Sequence, residues 1–501
     1  MSESKTPDVR ESSLDISTSE LTELSEAVSQ LVDEYFGQVG AVPLFPQTSA
    51  GKTIDQVGGE LPVEPEPLDQ LLADCRSILA GSRHNGHPRF FGYVASPSTP
   101  VGAFADLIAS TLNANVTSWR SGPAATEIES LVVRWLGSLI GFSESAHGLL
   151  TSGGSMANTT ALLIAQRNKT TADVSRAGLW NHQAPMTVYA SEQVHMSIPK
   201  AADILGLGRD QVRTVACDDR FRLDIRALRE RLNHDQQNGL IPFCVIASAG
   251  TVNTGAVDPL RDVAEVAREF GLWFHVDGAY GAPGSLDASK RPLFAGLELA
   301  DSVSLDPHKW LYVPLDAGCL LVRDEAAARK AFTAGEADYI KVHEEDAGEA
   351  FAFWDYGMEL SRRFRALKIW MTLRYYGSRR IAEAIADDNA LAQYLAERVE
   401  AAEDFELLAP VELSICCFRY APKGLLEKLE FASQVEREQI ETELDELNTR
   451  IMLAVQRGGQ AYVSNATIRG KFALRACITN FRTTRADIDK TLEIIRAAAV
   501  R

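Results

Sequence analysis

The sequence predicts an α/β fold in which helices alternate with the strands of a mainly parallel sheet. From about residue 88 to residue 324, short apolar runs rich in β-branched residues alternate with amphipathic helical segments, and this pattern is typical of βαβ units. The chain has 501 residues, of which 46% are hydrophobic and 24% are charged. A chain of this size and composition buries a large core, which excludes the disordered, collagenous and disulfide-stabilised classes.

The clearest βαβ unit lies near the middle of the chain. An apolar run at 242–250 predicts a strand, apolar residues recur at helical spacing over 260–270, and a second apolar run at 272–279 predicts the next strand. Asp258, which a proline follows, is expected to cap the helix N-terminus, and Gly271 is expected to end the helix.

Three units are predicted along the chain. Residues 1–85 form an N-terminal segment with a disordered start and a helix at about 20–36 that has one apolar face. Residues 86–377 form the large domain, in which a stretch rich in glycine, alanine and acidic residues predicts a mobile loop at about 333–350. Residues 378–501 form a smaller α+β domain.

Further elements flank the predicted loop. A strand is expected before it at 318–324. Beyond it, helical spacing predicts a helix at 361–377 that ends at Gly377, and a last helix at 486–500.

The charge balance and the cysteines narrow the possible partners and the compartment. The formal net charge is −18 and no run of Lys or Arg opposes it, so no nucleic-acid partner is expected. The N-terminus lacks a basic region followed by an apolar one, and no 18 consecutive apolar residues occur, so we expect a cytoplasmic protein without a membrane partner. The seven cysteines show no CxxC spacing, so we expect reduced thiols and no metal site.

A lysine and an aspartate follow two predicted strands. Lys309 lies in SVSLDPHKW, where a desolvated amine could form a Schiff base, although a lone lysine at a strand end is more often a surface residue. Asp277 ends the apolar strand of HVDGAYG, at the sheet edge where α/β folds bind ligands. A buried carboxylate there requires a cationic partner, and a protonated pyridine nitrogen would be one.

A glycine-rich turn and a histidine complete this set. TSGGSMAN opens a predicted helix, so the backbone amides of Gly154, Ser155 and Met156 are expected to bind a phosphate. His195 follows a strand, where an imidazole could stack on a flat ring. A Schiff-base lysine, an aspartate that pairs with a pyridine, a phosphate turn and a stacking histidine together indicate one cofactor, pyridoxal 5′-phosphate (PLP).

The chain resembles the group II PLP-dependent amino acid decarboxylases, the family of aromatic-L-amino-acid, glutamate and histidine decarboxylases. The matching motifs run in order from HPRFFGY through PAATEIE, TSGGSMAN, SEQVH, ASAGTVNTGAVDP, HVDGAYG and DPHKW to SRRFRALKIW. The resemblance implies an aspartate aminotransferase-like fold of type I, with a seven-stranded, mainly parallel sheet in the large domain. It also implies decarboxylation of an L-amino acid to the amine.

Family positions around the cofactor ring match five residues of this sequence. The resemblance implies that Lys309 binds the cofactor covalently and that Asp277 pairs with the pyridine nitrogen. It places His195 on the face of the ring and Ala279 beneath it. Ser248 matches a threonine that lies beside the ring in relatives.

The phosphate end of the cofactor matches a second group of residues. Gly154, Ser155 and Met156 match the phosphate turn of the family. Asp306 and His308, beside the lysine, are expected to add contacts. Asp306 is often Asn in relatives, which weakens the expectation of a phosphate contact for this residue.

Tyr339, in the predicted mobile loop, matches a lid tyrosine of the family. In relatives this tyrosine reaches the neighbouring subunit's site and protonates the substrate α-carbon. The resemblance therefore implies a homodimer with its active site at the subunit interface and an N-terminal segment that wraps the partner. Protonation by Tyr339 and protonation by His195 both stay open at this point.

The positions of the aromatic side-chain pocket of animal relatives are only partly kept. Asn85 and Thr117 stand where aromatic residues occur, Ser361 replaces a glycine, and Tyr93 keeps one aromatic wall. We expect an aromatic amino acid as substrate; the alternatives are a small acidic or polar amino acid (glutamate, aspartate or 2,4-diaminobutyrate) and an aldehyde-forming synthase. A catalytically silent binding homologue is a remote alternative.

Arg475 could bind a substrate carboxylate, but an arginine in such a run more commonly forms a structural ion pair. It is therefore left out of the predicted site.

Overall fold

The computed structural model describes residues 14–170, 174–179, 184–332 and 350–500. The α-helices are α1 (Thr18–Gln38), α2 (Ala50–Val57), α3 (Leu68–Ala80), α4 (Pro100–Leu112), α5 (Pro123–Leu139), α6 (Gly154–Lys169), α7 (Val174–Ala177), α8 (Ser197–Ile204), α9 (Ile225–Gln237), α10 (Leu260–Phe270), α11 (Pro307–Trp310), α12 (Glu325–Phe332), α13 (Ala366–Glu400), α14 (Lys423–Phe431), α15 (Gln434–Gly458) and α16 (Arg485–Ala499). The strands are β1 (Phe90–Phe91), β2 (His147–Thr151), β3 (Met186–Ser191), β4 (Val212–Val215), β5 (Ile241–Ser248), β6 (Trp273–Asp277), β7 (Ser302–Leu305), β8 (Gly318–Val322), β9 (Phe405–Leu407), β10 (Ile415–Tyr420), β11 (Tyr462–Ile468) and β12 (Lys471–Cys477). Within these ranges, no helix is long and apolar enough to cross a bilayer. Most of the predicted loop, with Tyr339, lies outside the described residues.

The large sheet has seven strands in the order β2-β8-β7-β6-β5-β3-β4. Strands β4, β3, β5, β6 and β7 pair in parallel, whereas β8 lies between β2 and β7 and runs antiparallel to both. Strands β3, β6, β7 and β8 are buried along their whole length, as expected of a sheet that is covered on both faces. The predicted α/β class and the seven-stranded, mainly parallel sheet of fold type I are confirmed.

The central βαβ unit forms as predicted, except at its helix cap. Gly271 ends α10 with φ at +68°, a conformation that glycine adopts without strain. The expected cap is wrong, because Pro259 occupies the N-cap position and no side chain caps the helix. Asp258 is instead buried and accepts hydrogen bonds from the amides of Ser248 and Leu223, each at 2.7 Å. The carboxylate therefore fixes the end of β5.

A second sheet of five strands has the order β1-β11-β12-β10-β9. Its core is separate from that of the large sheet and includes Leu395, Ile451 and Ile488 from α13, α15 and α16. Strand β1 pairs in parallel with β11, with Phe90 opposite Tyr462. This short strand therefore joins the second sheet, although the sequence assigns its residues to the large domain.

The helix predicted at 361–377 begins later and extends further. It is the first part of α13, which begins at Ala366 and continues beyond a kink at Gly377, where φ is +75°. Before Ala366 the chain pairs with a distant loop, since the Val116 amide donates to the Arg362 carbonyl at 2.8 Å. This long-range contact competes with the helical hydrogen bonds that the local spacing favours.

The predicted N-terminal helix is confirmed as α1. Ser17 and Glu20 form a capping box, in which the Ser17 amide donates to the Glu20 carboxylate at 2.8 Å and the Glu20 amide donates to the Ser17 hydroxyl at 3.3 Å. None of the residues of α1 is buried in the single chain. The predicted apolar face is thus formed but only partly covered.

One buried ion pair joins the large sheet to the chain that precedes α13. The side chains of Glu129, on α5, and Arg362 form an ion pair and are 0% and 1% exposed. Arg362 also donates to the carbonyls of Val116 and Leu150 at 2.8 and 2.9 Å, and Glu129 accepts from the Leu150 amide at 2.9 Å. Since β2 leads directly into the turn before α6, the ion pair also fixes the position of the strand end from which that turn begins.

We expect Glu129→Gln to destabilise the protein strongly. The substitution keeps the side-chain shape but leaves the buried Arg362 guanidinium without its counter-charge, which commonly lowers the free energy of unfolding by about 3–5 kcal/mol. Glu127→Gln is the matched control, because Glu127 is an exposed residue of the same helix and its loss should cost less than about 0.5 kcal/mol. Urea unfolding of the three proteins measures the difference; equal midpoints for both variants would contradict this role of the pair.

Candidate active site

The carboxyl ends of three parallel strands form one edge of the large sheet. Ser248, at the end of β5, lies opposite Asp277, at the end of β6, and Asp277 lies opposite Ser304 in β7. The chain continues from β7 into α11, which carries Lys309. The topology thus brings distant parts of the sequence to one edge, the usual place for a ligand in an α/β fold.

Lys309 is held beside a buried carboxylate. Its Nζ lies 3.0 Å from Asp306 Oδ2, and its side chain is 22% exposed. On the other side of this segment, the His308 amide donates to the Ala317 carbonyl at 3.2 Å, and the Ala317 amide donates to His308 Nδ1 at 3.1 Å. The lysine is therefore a partly desolvated amine on a segment that is tied down at both ends.

A second buried carboxylate supports this segment from behind. Trp310 Nε1 and Tyr312 OH both donate to Asp388 Oδ2, at 2.9 and 2.7 Å. The Asn480 amide donates to Asp388 Oδ1 at 3.2 Å. Burial raises the pKa of Asp388 to about 7. Asp388 thus links the residues that follow Lys309 to the chain beyond β12.

Asp277 is buried but lacks a cationic side chain as partner. It is 8% exposed and accepts hydrogen bonds from Asn158 Nδ2 at 2.9 Å, Ser304 Oγ at 3.1 Å and the Ala279 amide at 3.2 Å. All three donors are neutral. Among the described residues no Lys, Arg or His forms an ion pair with it, so the carboxylate can pair with a cationic group of a ligand.

The glycine-rich turn passes close to the lysine segment. A Cβ on Gly154 would lie 2.9 Å from the Ala279 Cβ and 3.0 Å from Asp306 Oδ2, so only glycine fits there. The Met156 amide donates to the Gly153 carbonyl at 3.0 Å. Gly154 and Ser155 are the first residues of α6, where backbone amides lack helical acceptors and can bind an anion.

His195 lies in the turn between β3 and α8. Its Nδ1 is 2.8 Å from Ser197 Oγ. Burial lowers the pKa of His195, against an opposite effect of Asp277. Burial thus favours the neutral form of the ring.

The structure brings all the predicted cofactor residues together around one cavity of about 580 Å³. They are Lys309, Asp277, His195, Ala279, Ser248, Gly154, Ser155, Met156, Asp306 and His308. The cavity opens at the carboxyl edge of the sheet. Residues that are far apart in sequence thus share one site.

The predicted substrate residues are not brought together in the single chain. Tyr93 lines the cavity, and Asn85 lines a neighbouring cavity of about 320 Å³. Thr117 and Ser361 line neither of these cavities; Thr117 is buried and Ser361 is exposed. Tyr339 lies outside the described residues.

Two further residues of the cavity are absent from the predicted site. Arg475 is 3% exposed and donates to the carbonyls of Val252 and Tyr93 at 2.8 and 2.7 Å. Among the described residues it forms no ion pair, and its Nη2 has no hydrogen-bond partner there. Asn158 also lines the cavity. The sequence does contain a signal for Arg475, because a charged residue inside the apolar run LRACIT is unusual. Asn158 lies in a helix, where an asparagine gives no such signal.

These residues fit PLP. The ring nitrogen requires a carboxylate such as Asp277, and the phosphate requires amides such as those of Gly154 and Ser155. Lys309 supplies the amine that reacts with an aldehyde. Within the described ranges, two buried atoms of the cavity lack a hydrogen-bond partner: Asp306 Oδ1 and Arg475 Nη2. The donors and acceptors around the cavity thus match a ligand with a cationic ring and an anionic phosphate.

Comparisons with known proteins point to the same cofactor. The model of the pyridoxal-dependent decarboxylase conserved domain matches residues 51–421. An aromatic-L-amino-acid decarboxylase from Bacillus atrophaeus is 33% identical over 487 residues, which cover 97% of either chain. A phenylacetaldehyde synthase from Petunia hybrida is 31% identical over 471 residues, 92% of this chain and 91% of the relative. The crystal structure of Oryza sativa TDC with PLP and tryptamine has a TM-score of 0.87 at 29% identity and covers 97% of this chain and 98% of that chain.

The family match therefore extends over most of the chain, and the relatives align along nearly their full length. The seven-stranded sheet, the lysine after β7 and the aspartate that ends β6 agree with this match. This chain belongs to the pyridoxal-dependent decarboxylase family and is a PLP-dependent amino acid decarboxylase of fold type I.

Proposed function

We propose that this enzyme converts an aromatic L-amino acid to its amine and carbon dioxide. The observation that carries the proposal is that Lys309, paired with Asp306, shares one cavity with Asp277, which has no ion-pair partner among the described residues. The relative from Bacillus atrophaeus is named for aromatic amino acids, and the Oryza sativa structure contains tryptamine. Tyr93 gives the cavity an aromatic wall.

The residues around the ring have separate tasks. Bound PLP supplies a protonated ring that withdraws electrons from the substrate α-carbon. Lys309 would hold the cofactor covalently through its side-chain amine. Asp277 holds the proton on the ring nitrogen, because its three neutral donors leave its charge available. His195, Ala279 and Ser248 line the same cavity and would hold the ring.

The phosphate is assigned to the start of α6. The amides of Gly154 and Ser155 point to an anion site at a helix N-terminus, and Met156 and His308 line the same part of the cavity. Asp306 is assigned to Lys309 and not to the phosphate, because an ionised carboxylate repels a phosphate while it stabilises a lysine ammonium 3.0 Å away.

The substrate carboxylate is assigned to Arg475. Its guanidinium is held in place by the carbonyls of Val252 and Tyr93, and its buried Nη2 has no hydrogen-bond partner in the described part of the chain. A fixed arginine with a free N–H group is a strong carboxylate ligand. Its contact would orient the bond that breaks.

A substrate with an acidic side chain is the second candidate. The neighbouring cavity shares Val94, His308 and Leu315 with the main one and contains Arg83 and Arg482. Among the described residues neither arginine has a carboxylate partner. Burial disfavours the charged form of Arg482 and lowers its pKa, so an anionic ligand would stabilise this charge. Two such cations beside the site favour an anionic side chain.

We further propose a homodimer in the cytoplasm. Large apolar side chains are exposed together on α4 and near it, which favours a covered interface; they are Phe104, Leu107, Ile108, Leu112, Leu315, Met358 and Leu360. Ser361, which is exposed, would contribute to the partner subunit's site, as the family resemblance implies for Tyr339, whereas Asn85 would line the cavity of its own subunit. The seven cysteines are all free, which suits a reducing compartment. A solution mass near 54.7 kDa for the active enzyme would contradict the dimer.

Borohydride reduction of the enzyme with its cofactor should attach a pyridoxyl group to Lys309 and to no other lysine. Peptide mapping by mass spectrometry measures the label. Lys309→Ala should lose the label and all turnover, whereas the control Lys200→Ala, an exposed lysine on α8, should keep both. A label on another lysine in the wild type would refute the assignment.

Carbon dioxide release should be fastest with an aromatic amino acid when all twenty amino acids are compared. Faster release from glutamate or aspartate would favour the second candidate instead.

The products amine, aldehyde and peroxide are measured under air and under nitrogen, because the Petunia hybrida relative is named as an aldehyde synthase. Tyr339→Phe should keep carbon dioxide release but lower the amine yield, since the proton donor is lost. An unchanged amine yield would remove Tyr339 from the mechanism.

Arg475→Lys should weaken the binding of the amino acid about 30-fold or more, because a charge-assisted fork is replaced by a point charge. Binding of the product amine, which has no carboxylate, should change less than about threefold on the same grounds. Inhibition constants of the amine and kcat/KM of the amino acid measure the two effects. Arg469→Lys, at the exposed turn before β12, is the control. Equal losses for both ligands would make Arg475 a structural residue.

A further inference from the structure

One buried amide connects the two residues that flank the ring site. Asn158, on α6, is 1% exposed. Its Nδ2 donates to Asp277 Oδ2 and to Ser197 Oγ, both at 2.9 Å. Ser197 Oγ is in turn 2.8 Å from His195 Nδ1. A continuous chain of hydrogen bonds therefore runs from the predicted ring-stacking histidine to the predicted ring-nitrogen partner.

The orientation of the Asn158 amide is fixed by a second chain of hydrogen bonds behind it. Trp273 Nε1 donates to Ser302 Oγ at 2.9 Å, and an indole N–H can only donate. The Ser302 hydroxyl is therefore free to donate to His275 Nδ1, 2.9 Å away. Burial lowers the pKa of His275 to about 4, so the ring is neutral.

A neutral His275 with Nδ1 as acceptor carries its proton on Nε2. The Nε2–H group therefore donates a hydrogen bond to Asn158 Oδ1, at 3.1 Å. The amide oxygen of Asn158 thus faces His275, and its NH₂ group faces Asp277 and Ser197. The reverse orientation would place the amide oxygen against the Asp277 carboxylate, with no proton between them.

The same reasoning fixes the protons at His195. Ser197 Oγ accepts a hydrogen bond from the Asn158 NH₂ group, so the hydroxyl hydrogen is free to be donated to His195 Nδ1. The Ser197 backbone amide also donates to His195 Nδ1, at 3.2 Å. Both groups are donors, so Nδ1 is an acceptor and the neutral ring carries its proton on Nε2.

We propose that Asn158 and Ser197 are positioning residues that hold His195 as the neutral Nε2–H tautomer and tie it to the Asp277 carboxylate. The role of His195 and Asp277 toward the cofactor rests on the proposed function, but the tautomer does not. His195 Nε2 then offers a hydrogen-bond donor to the cavity. A neutral imidazole N–H is a very weak acid, so the proton for the α-carbon has to come from another group.

The charged groups near His195 act in both directions. Asp277 and Asp306 raise its pKa, whereas Lys309 and burial lower it, and burial is the largest effect. The tautomer is set by hydrogen-bond donors and not by these charges. It therefore persists at any pH at which the ring is neutral.

The test uses the apoprotein, labelled with ¹⁵N-histidine, so that the result does not depend on turnover. The ring signals of His195 are identified as those missing in His195→Gln, among the nine histidines of the chain. In the wild type at pH 8, long-range ¹⁵N–¹H spectra should show a protonated Nε2 and an unprotonated Nδ1. A protonated Nδ1, or an average of both tautomers, overturns the proposal even if the enzyme is an active decarboxylase.

Asn158→Leu tests the part played by the amide. The variant should show mixed His195 tautomers, and its dissociation constant for PLP should rise about tenfold, because Asp277 loses a donor at 2.9 Å. Asn168→Leu is the matched control, since Asn168 lies on the same helix and, in the described part of the chain, donates to the Ile164 and Ala327 carbonyls away from the cavity.

Ser197→Ala provides a second variant, which keeps the backbone amide but removes the hydroxyl that links Asn158 to His195. It should also show mixed tautomers while its PLP affinity stays within about threefold of the wild type, because the donor to Asp277 remains. An unchanged tautomer in both variants, or equal changes in the Asn168→Leu control, overturns the positioning role.

Discussion

The register of three parallel strands is the constraint on which the site depends. Ser248, Asp277 and Ser304 stand in one row because β5, β6 and β7 pair in parallel without a shift at their ends. A slip of one residue would turn the Asp277 side chain to the other face of the sheet. The apolar residues of these buried strands therefore serve the chemistry, since their packing holds the register.

Much of this arrangement can be predicted from local sequence. The βαβ unit around α10, the turn at Gly154 and the positions of Lys309 and Asp277 follow from apolar periodicity and from residues that punctuate it. These signals are local because helices, strands and turns are set by neighbours in the chain. The order of the elements then determines which ends meet.

What escaped sequence reasoning depends on contacts between distant segments. Asp258 has the expected pattern of a helix cap, yet its carboxylate binds amides of two other segments. Residues 361–365 have helical spacing, yet Arg362 pairs with a distant loop. Asn158 and Arg475 gain their surroundings only when α6 and β12 meet the large sheet. Local patterns give no information about such partners.

The antiparallel strand β8 limits how far the Lys309 side chain can move from the cavity. Because β8 starts at the edge where β7 ends, the chain from Lys309 to Gly318 stays at that edge instead of crossing over through a helix. The pair of hydrogen bonds between His308 and Ala317 closes this segment into a short bridge. Because this segment is short, the Lys309 amine stays close to the cavity. Its effective concentration there is therefore high even when it forms no covalent bond. An insertion between Lys309 and Ala317 would lengthen this segment, and the lysine amine would then be held less closely at the cavity although every residue of the site were unchanged.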